Sequence, residues 1–209
     1  DVAVEIDGNR ILTDVDLRLA PGSKTLIVGD NGSGKTVLLK TILGFHQPSK
    51  GQVRYGVAEH IKSADMGGEM AYDRSADMSN AIEIAYDPVE RMLFPASIRE
   101  NVNLYAREDG YGAEEIAGGL RQLLGGEYDA EEEIEDAGSR FSLGQIDTLC
   151  MLRTGASGRG LYLLDEPLAH ADKRIFRLVW RGLMESDKTV IAVEHEFDEI
   201  GEEYDPCIV

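Results

Sequence analysis

The chain is short of cysteine, of lysine and of long apolar runs. Its two cysteines, Cys150 and Cys207, stand far apart and form no C-x-x-C pair. That argues against a disulfide framework or a cysteine-held zinc site, and a reducing compartment suits the chain. Only seven of its 21 basic residues are lysine, against 39 acidic residues and a net charge of −18. A surface of that sign repels nucleic-acid backbones, so no nucleic-acid partner is expected. High acid with little lysine suits a salty medium, where screening relieves self-repulsion. No apolar run approaches the roughly 20 residues of a membrane span, and no signal peptide is visible. The chain begins at Asp1 rather than methionine, so any membrane-spanning part is expected outside it. Residues 1–44 contain no Phe, Tyr or Trp. What is present is 209 residues, enough for one domain with a sizeable core.

One stretch organises the rest. Gly29-Asp30-Asn31-Gly32-Ser33-Gly34-Lys35-Thr36 has the form G-x-x-x-x-G-K-[ST]. It follows Thr25-Leu26-Ile27-Val28, which reads as a short buried strand, and precedes Val37–Leu43, which reads as a helix ending at Gly44. Strand, glycine loop and helix in that order are the context of a phosphate-binding loop. The glycines let backbone N–H groups turn inward around phosphate oxygens, and the helix N-terminus favours anions. Lys35 supplies a point charge for the β- and γ-phosphates, and the Thr36 hydroxyl is a hard oxygen ligand for Mg²⁺.

Around this loop, strand and helix patterns alternate. Val2, Val4 and Ile6 alternate, Asp7-Gly8-Asn9 signals a turn, and Ile11 to Leu19 alternates again with Val15, Leu17 and Leu19 on one face. This predicts an antiparallel hairpin feeding the Thr25–Val28 strand. Gln52–Tyr55 is expected as a short strand, residues 63–80 as a surface loop, and Ala81–Tyr86 as a strand broken by Pro88. Ile98–Ala106, Ala113–Leu124 and Ser142–Leu152 read as helices, acidic Gly125–Asp136 as exposed, and Gly155–Gly160 as a loop. Leu161–Leu164 and Thr189–Val193 read as buried strands. Between them, Asp172–Met184 reads as an amphipathic helix with Ile175, Phe176, Leu178, Val179 and Leu183 inward. The expected fold is α/β with a mainly parallel sheet, an N-terminal antiparallel β subdomain and an inserted α-helical subdomain over about residues 91–154.

Leu161-Tyr162-Leu163-Leu164-Asp165 is an apolar strand ending in an acid, the form of a Walker B strand. At the C-terminal edge of a parallel sheet that acid faces the ligand crevice. Asp165 is a candidate Mg²⁺ ligand, and Glu166 a candidate for orienting or deprotonating an attacking water. Phe141-Ser142-Leu143-Gly144-Gln145 lies upstream, Leu168-Ala169-His170-Ala171-Asp172 follows, and His195 closes the Thr189–Val193 strand. In this order the motifs resemble the nucleotide-binding domain of ABC (ATP-binding cassette) transporter ATPases, over nearly the whole chain. In that comparison Ser142–Gln145 belong to the signature sequence usually written LSGGQ, Asp172 to the D-loop, and His195 is the switch histidine.

The resemblance implies a single P-loop NTPase domain over residues 1–209 that binds ATP with Mg²⁺ and hydrolyses it. Its core and β subdomain would occupy about residues 1–90 and 155–209. ATP would lie between Gly29, Asp30, Asn31, Gly32, Ser33, Gly34, Lys35, Thr36 and Val37 of one domain and Ser142, Leu143, Gly144 and Gln145 of a second domain facing it. Lys35, Glu166 and His195 would be catalytic, and Thr36 and Asp165 would hold Mg²⁺. A helix starting at Ser142 would present free N–H groups to the γ-phosphate. The implied partners are that second domain and a separate transmembrane domain. They place the chain in the cytoplasm, peripheral on the cytoplasmic face of the membrane. Leu93–Val102 resembles the exporter type, whereas Asp165-Glu166-Pro167-Leu168 is as similar to importers; the reading leans to export.

Three departures from the family pattern stand out. Val89 occupies the glutamine position of the Q-loop, with Glu90 beside it as a substitute oxygen ligand for Mg²⁺. The aromatic that usually stacks on adenine is missing, leaving Arg10 as a planar candidate or base selectivity lost. Phe141 and Leu143 replace a leucine and a glycine of the signature. They keep open the alternative of a catalytically weak, ATP-dependent dimerisation or regulatory module of the same fold.

Overall fold

The computed structural model describes residues 1–55, 84–87, 92–104, 131–135, 140–167, 173–195 and 205–208. β1 (Val2–Ile6) and β2 (Asn9–Val15) form an antiparallel pair. Their turn holds Asp7 at φ 50° and Gly8 at φ 76°, the double positive φ of a type I′ turn, whose twist matches the strands it joins. Pairing ends at Val15, short of the expected Leu19. The inward alternation outlasts it: Val15, Leu17 and Leu19 stay half-buried against the cluster that contains Val4 and Leu12.

The other described elements are β3 (Lys24–Val28), α1 (Lys35–Ile42), β4 (Ile84–Asp87), α2 (Ile98–Asn103), α3 (Leu143–Ala156), β5 (Leu161–Asp165), α4 (Lys173–Glu185), β6 (Thr189–Glu194) and β7 (Asp205–Ile208). Five strands pair in parallel in the order β4-β5-β6-β3-β7. The apolar runs of β3, β5 and β6 look continuous in sequence, but the strand period of two divides them between two cores. Ile27, Leu161, Leu163, Ile191 and Val193 pack with α1 and the β1–β2 pair. Leu26, Tyr162, Leu164, Val190 and Ala192 pack with α2, α3 and α4. Burial of one such leucine contributes ~1.5–3 kcal/mol.

β7 lies at one end of the described sheet and was not expected from sequence. Its Pro206 is tolerable there, because an edge strand need not donate on both sides. Gln52–Tyr55 forms no strand; the neighbouring chain meets β1 at a bridge between Ala3 and Lys50, where Ser49 also donates to Ala3 O. α3 runs on through Gly155, which was expected to open a loop. A Cβ at Gly155 would lie 2.8 Å from Val179 Cγ1, so glycine is what lets α3 approach α4 this closely. Trp180, 4% exposed, joins the inward stripe of α4 and stacks on Phe176 at 5.3 Å, while Leu178 is half-buried. Within the acidic stretch, Ile134 is buried. The expected loop over 63–80 and helix over 113–124 lie outside the described residues.

Candidate functional site

Parallel pairing brings the C-terminal ends of β3, β5 and β6 to one edge of the sheet, and candidate residues from three stretches meet there. After β3 the loop turns directly into α1. Gly34 is the N-cap of that helix at φ 97°, a left-handed conformation that strains other residues. A Cβ at Gly34 would also sit 2.7 Å from Leu12 Cδ2, so the loop can rest against β2 only with glycine there. Asp30, Asn31, Gly32 and Ser33 are exposed, Gly29 and Val37 half-buried. Lys35 is only 8% exposed. Its Nζ donates to the carbonyls of Gly29 at 2.6 Å and Asp30 at 2.9 Å, which folds the ammonium back over the loop.

Polar connections cross from α1 to the sheet edge. The Thr36 hydroxyl donates to Asp165 Oδ1 at 3.1 Å, and Asp165 is buried at the end of β5. Lys35 Nζ lies 3.3 Å from His195 Nδ1. Lysine offers only hydrogens, so Nδ1 accepts, and Nε2 carries the hydrogen bound by Glu166 Oε1 at 2.6 Å. Glu166 adopts φ 50°, while its N–H still donates to Val193 O at 3.0 Å. That conformation costs about 1–2 kcal/mol for a residue with a Cβ. It turns the carboxylate out of the strand direction and onto the imidazole. Lys35, His195 and Glu166 thus form one chain of contacts beside the Thr36–Asp165 pair.

The donors fit a nucleotide with Mg²⁺. The glycine loop at the start of α1 offers backbone N–H groups, with a buried ammonium folded over it. Lys35 is held by neutral carbonyls, which a phosphate outmatches as an acceptor. Thr36 and Asp165 supply two hard oxygens, the small protein share that Mg²⁺ takes when phosphates and water complete its shell. Among the described residues no three His, Cys, Asp or Glu side chains converge as an all-protein metal cage.

Ser142–Gln145 are organised differently. Ser142 is the N-cap of α3: its Oγ accepts from Gln145 N at 3.3 Å, and Gln145 Oε1 accepts from Ser142 N at 2.8 Å. The expected set of free N–H groups is therefore smaller, because the cap satisfies two of them. Leu143 and Gly144 keep first-turn N–H groups without intrahelical partners. Leu143 itself is 58% exposed. Among the described residues, no hydrogen bond or ion pair joins Ser142–Gln145 to the Lys35 cluster. Arg10 lies on the hairpin surface paired with Glu5 at 3.3 Å. Sequence reasoning does not single out Ile11, which is 37% exposed and borders Gly34. In sequence it is one more apolar residue of an alternating strand. Val89, Glu90 and Asp172 lie outside the described residues.

The family model described as ABC transporter matches residues 12–169. The chain belongs to the ABC transporter family. Members of this family are ATPases whose nucleotide-binding domains bind ATP, generally with Mg²⁺. This ABC domain is 30% identical over 206 residues to a multidrug resistance protein of Leishmania tarentolae, covering 95% of this chain and 12% of that protein. It is 28% identical over 193 residues to the transport/processing ATP-binding protein ComA of Streptococcus pneumoniae, covering 90% of this chain and 25% of ComA. It is 24% identical over 213 residues to the ribose import ATP-binding protein RbsA 2 of Rhizobium johnstonii, covering 97% and 39%. The chain thus spans between 12% and 39% of the length of these relatives. A bacterial Atm1-family ABC exporter solved with ATP bound superposes with a TM-score of 0.73 at 20% identity, covering 100% of this chain and 36% of that one. At that identity the superposition speaks for the fold alone, the P-loop NTPase fold of ABC domains. Among the described residues no helix is long and apolar enough to cross a membrane.

Proposed function

We propose that this ABC domain binds and hydrolyses ATP with Mg²⁺, and that ATP-driven pairing of two such domains powers transport through a separate membrane domain, with export favoured. It would then work at the cytoplasmic face of the membrane. The observation that carries the reading is the Lys35–His195–Glu166 chain standing beside Thr36 and Asp165. Gly29–Val37 bind the triphosphate, with the Lys35 ammonium moving from the loop carbonyls onto phosphate oxygens. Thr36 and Asp165 would hold Mg²⁺, with Glu90 as a further oxygen ligand, and the metal would supply charge neutralisation for the phosphates. Glu166 accepts the proton of the attacking water or orients it, and His195 keeps that carboxylate in place and contacts the γ-phosphate. Ser142, Leu143, Gly144 and Gln145 close on the phosphates of the facing domain, alongside the D-loop Asp172.

A second reading, an ATP-dependent dimerisation module with weak catalysis, draws on Leu143, an exposed apolar side chain in a glycine position of the signature. Steady-state ATPase activity of the purified chain, measured over a range of protein concentrations beside Glu166→Gln, separates the two. The expected result is turnover that rises faster than linearly with protein and falls at least ~100-fold in the variant. ATP binding without turnover at any concentration sinks the catalytic reading in favour of the second. Unchanged turnover in Glu166→Gln removes Glu166 from the mechanism.

A further inference from the structure

We propose that Arg153 is a positioning residue for ATP turnover, tying the far end of the signature helix to the segment Met92–Ser97. The proposal rests on the ATPase reading above. Arg153 lies in the last turn of α3, whose first turn carries Ser142–Gln145. Its guanidinium spans two stretches of chain. Nε donates to Asn101 O at 2.7 Å, Nη2 to Asn101 Oδ1 at 3.0 Å, and Nη1 to Met92 O at 3.1 Å. Its plane also lies over the Phe94 ring, 5.1 Å from the centroid.

Asn101 completes the clamp from within. It is 1% exposed, accepts from Phe94 N at 2.8 Å, and donates through Nδ2 to Phe94 O at 2.9 Å and Ser97 O at 3.1 Å. Two donors aimed at Oδ1 fix the amide orientation, so Asn101 reads the backbone of Phe94–Ser97 and passes that geometry to Arg153. Each of these acceptors is a neutral oxygen. In a chain of net charge −18, Arg153 thus serves here as a planar fork that fixes direction, a task a lysine ammonium cannot copy.

The location gives the clamp its consequence. Met92–Ser97 follows β4, and β4 pairs in parallel with β5, whose C-terminal end carries Asp165 and Glu166. α3 is a strut of 14 residues, ~20 Å long at 1.5 Å per residue. One end presents Ser142, and the other is bolted through Arg153 to Met92 and Asn101. The clamp adds three hydrogen bonds and a ring contact to the Cys150 Sγ–Met92 O contact at 3.5 Å and to the packing of α3 on α2 and α4, and so helps fix the Ser142 end relative to the crevice. The hydrogen-bond partners of Arg153 and Asn101 lie at 92–101 and none is in Gly29–Thr36, so the clamp is expected to act on turnover and leave affinity alone.

The test is Arg153→Lys, which keeps charge and most of the buried stem, with kcat and KM for MgATP measured over protein concentration beside a thermal melt. We expect a melting temperature within a few degrees of the parent, KM within about twofold, and kcat lowered about tenfold or more, as small misplacements of reacting groups do. Phe94→Leu, a milder change at a half-exposed residue, should lower kcat by less. Combined with Arg153→Lys it should cost less than the product of the two effects. Turnover that ignores both substitutions, kcat loss matched by loss of folded protein, or KM rising in step with falling kcat each overturn the proposal while the ATPase reading stands. No turnover by the parent chain at any concentration overturns both.

Discussion

α2 and α3 begin with the same device and put it to opposite uses. Ser97 caps α2 and pairs with Glu100; Ser142 caps α3 and pairs with Gln145. Both are reciprocal capping boxes, each satisfying two backbone donors. At α2 the cap is 4% exposed, and Ile98 N–H donates to Glu132 O at 3.1 Å, so the helix end is closed over by the 131–135 stretch. At α3 Ser142 and Leu143 are exposed, and the N–H groups of Leu143 and Gly144 have no intrahelical partner. The residue that completes the box differs in charge. Glu100 brings negative charge to an end closed over by backbone, whereas Gln145 closes the same hydrogen bond without bringing negative charge to an end proposed to meet phosphate. A helix N-terminus is thus structural or available according to what covers it and what charge it already carries.

Gln145→Glu breaks this contrast most sharply. Glutamate supports a capping box as well as glutamine, so the melting temperature should barely move. A carboxylate about 4 Å from a phosphate costs ~4 kcal/mol at an effective dielectric of 20, which predicts at least a ~100-fold loss of concentration-dependent turnover. Nucleotide binding to the isolated chain should be retained. If turnover survives, α3 does not face phosphate and its open end is incidental.

Comparison of Ser97→Ala with Ser142→Ala sharpens the contrast at smaller scale. Each deletes a cap worth about 1 kcal/mol, with the larger loss expected at buried Ser97. Only Ser142→Ala should lower turnover per folded molecule. Denaturant titration and ATPase assays on both variants decide the matter, and equal activity losses would erase the distinction.

The smallest effect is electrostatic. The hydrogen bonds from Ser97 hold the Glu100 carboxyl below its ordinary carboxylate range. A depressed folded value means stability that is present above the unfolded pKa and lost as pH falls through the folded one. Parent and Glu100→Gln melting curves should therefore differ at neutral pH and draw together as pH falls below the ordinary glutamate value of about 4.3 and through the lower folded one. No comparable acid-side difference should separate the parent from Ser142→Ala, whose partner Gln145 does not titrate. A gap between parent and Glu100→Gln that stays constant down to pH 2 would show that the Ser97 bonds do not favour the charged form.

Several of these features are legible from local sequence. Gly29–Thr36 is readable because phosphate chemistry demands glycines and a lysine at set spacing, and Leu161–Asp165 because a strand buried on both faces must be apolar until it reaches the crevice. Asp7-Gly8 is readable because few residues accept two successive positive φ values. Arg153, Asn101 and Ile11 are not legible in the same way. Each has an ordinary local context, and its partners lie on another element. α3 also extends beyond the expected Leu152 because contacts with α4 hold Gly155 inside a helix that propensity alone would end.

The sequence alone determined the chemistry on offer: a loop for phosphate, two adjacent acids after a buried strand, a histidine after another, and a helix starting at Ser142. These follow from short-range rules of spacing, backbone conformation and alternation. Tertiary structure decided which of them touch. Parallel pairing of β3, β5 and β6 joined Lys35 to His195 and Thr36 to Asp165, and the left-handed turn at Glu166 aimed its carboxylate. Packing closed the α2 cap and left the α3 cap open. Contacts between distant residues depend on how whole elements cover one another, and no local pattern encodes that.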